Sequence, residues 1–339
     1  MNNQPQNPVY KYRKLIFIFL IVLLTVITGI SNIDEISESL KIMFNTRLDS
    51  VIILIILLIL YILIDAKLLQ VSIDSNIKFV DSLLINLAGG FFSGITPLYI
   101  GSYPSRFYYL NQKSIPTDKI LSGLTVKGLV YQIVISIFMI LGLLIGGLKV
   151  VNSGGYQTLL ILGIVYSVII TTFLIMISTF SSFNKLIIKL INKLSFKSKK
   201  INENKEKISN SVTNYYINSR RVYNDPLYSF KVYFYTFIKQ IIFYSFPIVV
   251  FHGLGMDVNS YLFEIVAIST LMVIIVAVVP TPGGMGASEM AFIILFGVIY
   301  LDSTTLNAGL LIYRLFSYYL LIILGLIATL YLQAKKPIK

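Results

Sequence analysis

The chain has 339 residues, of which 56% are hydrophobic and only 13% charged, and its mean hydropathy is +0.81. A soluble domain carries roughly 25% charged residues, so water is not the solvent for most of this surface. The formal charge of +13 is spread between long apolar runs, which points to membrane topology and anionic headgroups and away from nucleic acid.

A transmembrane helix needs about 20 apolar residues, because each adds ~1.5 Å across ~30 Å of hydrocarbon. The polar start of the chain ends in Lys11, Arg13 and Lys14, and the apolar run after it, about 15–33, has no small-residue cleavage site and reads as a retained span. An acidic loop, 34–49, leads to a second span at about 50–70. A stretch broken by Gly and Pro, about 82–104, precedes spans at about 124–148 and 157–180. A basic hydrophilic segment, 181–229, is followed by a span at 230–253, a second broken stretch at 260–301 and a last span at 305–333. The predicted fold is all-α: a polytopic integral membrane protein of about six full spans plus two re-entrant hairpins, in one transmembrane domain over 1–339.

Charge sets the expected orientation. The segment 181–229 holds Lys185, Lys189, Lys193, Lys197, Lys199, Lys200, Lys205, Lys207, Arg220 and Arg221, and the C-terminal end holds Lys335, Lys336 and Lys339. By the positive-inside rule this segment and both termini face the cytoplasm. Parity then requires 82–104 to enter from and return to the cytoplasm, and 260–301 to begin and end outside. A Pro-kinked ordinary span is the competing reading for each. Within the basic segment, Lys185, Lys189, Lys193 and Lys197 recur every four residues beside Leu186, Leu190 and Leu194. That spacing suits an amphipathic helix on the inner leaflet; a solvated loop whose charges only enforce topology is the alternative.

The broken stretches carry a repeated motif. Thr96, Pro97, Gly101 and Ser102 match Thr281, Pro282, Gly286 and Ala287 in order and spacing. Their placement between full spans of opposite direction is that of an inverted repeat, with units at about 50–148 and 230–333. Pro removes a backbone donor and Gly permits tight turns, so such breaks free backbone groups near the bilayer middle. The half-helix after each break presents unpaired N–H groups to anions. Ser102, Ser105 and Ser288 add hydroxyls there, and Gly283, Gly284 and Gly286 admit close backbone approach. Among charges near the membrane interior, Arg106 and Arg314 are candidate phosphate contacts, since a guanidinium grips phosphate bidentately. Glu289 is a candidate counter-ion or cation contact, and a structural Arg106–Glu289 pair between the hairpins is the plainer reading. Lys127, Lys239 and Glu264 read as snorkelling or interfacial, His252 as a packing residue, and the cluster Tyr103, Phe107, Tyr108 and Tyr109 as interfacial belt or lipid entrance. Cysteine is absent and His252 is the single histidine, so thiolate chemistry and His-rich metal sites are excluded. No catalytic residue, metal or cofactor is assigned.

At these motifs the chain resembles the lysylphosphatidylglycerol synthase transmembrane, or flippase-like, family. The resemblance rests on Thr96 to Arg106, on Pro280 to Met290 and on Arg314. It implies a lipid-handling module of a bacterial or archaeal plasma membrane, similar to the region of the multiple peptide resistance factor that moves lysylated phosphatidylglycerol between leaflets. With the chain ending at Lys339, the large soluble synthase domain of the fused enzymes is not expected. The leading expectation is a translocase for an anionic, aminoacylated or polyprenyl-linked lipid headgroup, working beside a separate lipid-modifying synthase or glycosyltransferase. Two alternatives stand beside it. One is a membrane-embedded transferase using Glu289 with Ser102 or Ser288; the other is a module that recruits a soluble synthase through the basic segment.

Overall fold

The computed structural model describes residues 33–147, 157–195, 199–279, 281–300 and 302–335. The expected first span (apart from Ile33), together with Lys11, Arg13, Lys14, Lys197, Pro280, Lys336 and Lys339, lies outside the described residues.

Among the described residues the regular structure is helical, and six helices are long and apolar enough to cross a membrane: Leu48–Ile73, Thr117–Ile145, Ile161–Thr179, Pro226–Gly253, Asn259–Ala277 and Ser303–Ala334. The chain is a polytopic all-α membrane protein. Apolar side chains such as Ile52, Ile56 and Ile59 on the first of these, Ile161 and Ile169 on the third and Ile323 and Ile327 on the last are exposed. In water that surface is a liability; against acyl chains it costs nothing.

In chain order, α1 spans Ile33–Phe44 and α2 Leu48–Ile73. The segment read as an acidic loop is thus mostly helix: Ile36, Leu40 and Met43 recur at helical spacing, and α1 packs on α13, Ser303–Arg314. The first broken stretch forms α3, Phe79–Gly94, and α4, Ser102–Gln112. Helix α5, Thr117–Gly142, ends in a π-turn at Leu143–Gly147, and α6 is Gln157–Thr179. The basic segment is not a loop. It folds into α7, Ser181–Ser195, α8, Lys199–Ser219, and a short α9, Arg221–Asn224, with α7 packed along α8. Helix α10, Pro226–Gly253, starts with Pro at its first position behind an Asp225 cap whose side chain accepts from the Tyr228 N–H.

The second broken stretch forms α11, Leu262–Val278, and α12, Ala287–Phe296. The last span is continuous through α13, a π-turn at Leu315–Tyr319 and α14, Leu320–Ala334. Both broken stretches therefore have a long arm of 16 or 17 residues, a break, and a short arm of 11 or 10. The two arms of each pack against one another, so each stretch doubles back. The arm α11 with its leading turn is itself long enough to span, a fuller crossing than the hairpin reading allowed for.

Packing places the breaks at the centre. Arm α3 lies against α2 and α14 and arm α4 against α5, whereas α11 lies against α5, α6 and α10. Phe246, Phe251, Phe292 and Phe296 fill the core between α10 and α12. Leu69, Ile85, Leu110 and Ile120 fill the one around the first break. His252 is exposed, with its Nδ1 3.1 Å from the Ser50 hydroxyl, joining the end of α10 to the start of α2.

Candidate functional site

The two breaks meet. Pro97 and Pro282, the prolines of the repeated Thr-Pro pairs, form an antiparallel backbone bridge. The turns that follow have the same handedness at matched positions. With Thr96 aligned on Thr281, Leu98 (φ 53°) falls on Gly283 (φ 58°) and Tyr99 (φ 57°) on Gly284 (φ 66°). Two consecutive left-handed residues are inexpensive for Gly but cost roughly 1–2 kcal/mol each for residues with a Cβ. The first break therefore holds strain at Leu98 and Tyr99 that the second avoids, a feature that recurs at functional sites. Thr96 locks its own turn, its hydroxyl donating to the Phe92 carbonyl (2.7 Å) and accepting from the Gly101 N–H (2.9 Å). Gly283 sits so close to the first break that a Cβ there would stand 2.5 Å from the Gly94 carbonyl oxygen.

Around this junction lies a cavity of about 740 Å³, within the usual range for small-molecule sites of about 300–1,000 Å³. Of the sequence candidates, Ser102, Arg106, Gly283, Ser288 and Arg314 line it. Thr96, Pro97, Gly101, Thr281, Pro282, Gly284 and Gly286 build the two turns behind it. Ser105 is buried and donates to the Ser102 carbonyl (3.0 Å), and Glu289 stands behind Arg314.

Two polar clusters face the cavity. The first centres on Asp65 of α2, which the sequence reading passed over. Its Oδ1 is 2.9 Å from the Lys127 ammonium and 3.0 Å from that of Lys239. Its Oδ2 accepts from the Asn86 amide (2.6 Å) and lies 3.9 Å from the Arg106 guanidinium. Lys127 also donates to the Asn86 Oδ1 (3.2 Å). Lys127 and Lys239 are thus buried centre-facing groups, and the snorkelling reading of both is corrected: a carboxylate on α2, which packs on both α5 and α10, compensates their charge inside. Arg106 reaches this cluster along Gly89, where a Cβ would stand 2.6 Å from its Nε.

The second cluster pairs Arg314 Nε with Glu289 Oε1 at 2.8 Å, and Ser288 donates to Glu289 Oε2 at 2.9 Å. The guanidinium also lies over the Tyr318 ring, 4.2 Å from its centroid. The Arg106–Glu289 pair considered for the hairpins does not form; each takes a different partner. A π-turn directly after Arg314 carries Ser317 and Tyr318 to the cavity wall, in keeping with the frequency of π-bulges at functional sites.

Four cations therefore stand against two carboxylates, and not all are satisfied. Arg106 Nε, Arg314 Nε and Nη2, Glu289 Oε1 and Thr281 Oγ1 are buried with no hydrogen-bond partner; the close Arg314–Glu289 approach is an ion pair without hydrogen-bond alignment. Of the aromatic cluster, Tyr103 lines the cavity and bonds Thr125 Oγ1 (3.2 Å), while Tyr109 is buried in the core.

The family model for the lysylphosphatidylglycerol synthase TM region matches residues 14–325, which takes in both breaks, Asp65 and Arg314. The chain belongs to this family. It is similar along nearly its whole length to a curated relative, the UPF0104 membrane protein MJ1595 of Methanocaldococcus jannaschii. The two are 27% identical over 327 residues, covering 93% of this chain and 94% of the relative. No solved structure matches the chain. In this member of the family, the site expected from the repeated motif is a cavity with two separate charge clusters, one of them built on a residue outside the motif.

Proposed function

We propose that this protein is a lipid translocase, passing a phosphate-bearing headgroup through the cavity at the junction of the two broken helices. The observation that carries the reading is the cavity itself: Arg106, Lys127, Lys239 and Arg314 converge on it from four different helices, α4, α5, α10 and α13. Ionisable groups at that depth are costly and mark substrate paths. Its rim includes Leu98, Tyr99, Ile100 and Tyr103, all exposed, which suits a path where acyl tails stay in lipid while the headgroup crosses. We take the membrane to be a bacterial or archaeal plasma membrane, with both termini and the α7–α8 pair cytoplasmic. On α7, Lys185, Lys189 and Lys193 are exposed beside Leu186 and Leu190, which favours contact with an anionic leaflet.

The transferase reading has one favourable contact, Ser288 to Glu289. That carboxylate is already ion-paired with Arg314.

The test is leaflet exchange of fluorescent phosphatidylglycerol in proteoliposomes, with native protein, Arg106→Ala and Glu289→Gln. Translocation predicts exchange by the native protein and its loss in both variants with folding intact. Absence of exchange across anionic, aminoacylated and polyprenyl-linked headgroups would refute it.

A further inference from the structure

The balance of donors and acceptors inside the cavity bears on which headgroup fits. The formal excess there is two positive charges, from Arg106, Lys127, Lys239 and Arg314 against Asp65 and Glu289. The acceptors are largely used. Asp65 Oδ1 is shared by two ammoniums and Oδ2 takes the Asn86 amide. Glu289 Oε2 takes the Ser288 hydroxyl, while Oε1 faces Arg314 as an ion pair without an aligned hydrogen bond. The guanidinium donors are not all used: Arg106 Nε and Arg314 Nη2 are buried without a partner, and Arg314 is only 5% exposed. A buried donor left unpaired is costly, and a guanidinium N–H is most strongly satisfied by an oxyanion. Three of the aromatic faces in the cavity wall already hold a cation of the protein. Lys239 lies over Tyr61 and Tyr131, at 5.3 and 5.7 Å from their centroids, and Arg314 lies over Tyr318.

We infer that the cavity takes a headgroup of net negative charge, whose phosphate oxygens accept from Arg106 and Arg314, and rejects an aminoacylated, cationic one. The inference rests on the lipid reading above and departs from the lipid that the family description names. A lysylated phosphatidylglycerol brings two ammonium groups for one phosphate. It would add positive charge to a site already in excess, where the Asp65 oxygens are taken and Glu289 is already ion-paired with Arg314. An unmodified phosphodiester or diphosphate brings phosphate oxygens as acceptors and no ammonium group.

Two glycines allow a gain-of-function test. Gly90 on α3 and Gly128 on α5 line the cavity, and a Cβ at either meets nothing within 4 Å. Gly90→Glu and Gly128→Glu therefore add a carboxylate to the wall without a clash at Cβ. The experiment measures displacement of fluorescent phosphatidylglycerol from the purified full chain in neutral phosphatidylcholine nanodiscs. The competitors are phosphatidylglycerol, lysyl-phosphatidylglycerol and inorganic phosphate, and leaflet exchange of the two lipids is followed in parallel.

For native protein, phosphatidylglycerol should compete at least tenfold better than its lysylated form, about 1.4 kcal/mol. Arg314→Gln should lose most of that preference, and the doubly substituted Gly90→Glu, Gly128→Glu protein should reverse it. Equal or better competition by the lysylated lipid with native protein overturns the inference, as does a glutamate variant whose preference does not move. Inorganic phosphate competing as well as the lipid would assign the site to free phosphate and overturn the lipid class. Equal exchange of both lipids would sink the headgroup preference and leave translocation standing. Selective binding of phosphatidylglycerol without exchange would do the reverse.

Discussion

Replacing Asp65 by Asn tests whether the buried cluster is held together by this one carboxylate. Lys127 and Lys239 approach its Oδ1 at 2.9 and 3.0 Å, and Arg106 its Oδ2 at 3.9 Å. At an effective dielectric constant of about 20, each ammonium contact is worth about 5 kcal/mol of attraction. Desolvating the ions offsets several kcal/mol apiece, so the intact cluster contributes far less than that sum. Removing the carboxylate alone is a different matter, because it leaves three cations facing each other with their desolvation uncompensated. The expected loss is about 3–5 kcal/mol. Reversible unfolding in mixed detergent micelles, titrated with a denaturing detergent, measures it. Adding Lys239→Met to the Asn variant should then recover at least about 1 kcal/mol, since it removes one of the stranded charges. An Asp65→Asn protein within about 1 kcal/mol of native, or a double variant no more stable than the single one, would refute this account of the cluster.

The same unfolding assay checks two further expectations. Gly283→Ala should cost about 2–5 kcal/mol, from the left-handed φ of 58° and from overpacking against the Gly94 carbonyl 2.5 Å away, whereas Gly90→Ala, in open space within a helix, should gain up to about 1 kcal/mol. Asp302 caps α13, accepting from the Thr305 hydroxyl and from its N–H (3.0 Å), so Asp302→Ala should cost about 1 kcal/mol at neutral pH. The Thr305 hydroxyl and N–H hold the Asp302 carboxyl below the usual carboxylate range. Its contribution is therefore complete above the ordinary carboxylate pKa and is lost as pH falls through the lowered folded value. The gap between native and Ala proteins should close over that acid range, and a pH-independent gap would contradict the cap's charge.

Much of the architecture follows from the order of residues alone. Long apolar runs, a mean hydropathy of +0.81 and basic residues gathered between them leave few options besides helices crossing a bilayer, because unpaired backbone is not tolerated in hydrocarbon. The two Thr-Pro segments announce matching breaks, since proline and glycine act locally. Arg106 and Arg314 were legible as cations in apolar surroundings. Asp65 was legible on the same ground, as a carboxylate deep in the run Leu48–Ile73; the attention given to the motif passed it over. Other features had no local signal. Leu98 and Tyr99 carry nothing that marks a left-handed turn, and that conformation stands beside the bridge between Pro97 and Pro282, which joins residues far apart in the chain. Nothing in the spacing says that Lys127 and Lys239 share one carboxylate, or that Glu289 answers Arg314 and not Arg106. Hydropathy is a property of each segment in its solvent, so the sequence by itself determined which segments enter the membrane and where they break. Charge compensation is a property of neighbours 62 to 174 residues apart (Asp65 with Lys127 and with Lys239), so only the packing of the helices decided which cations are neutralised and which keep unpaired donors.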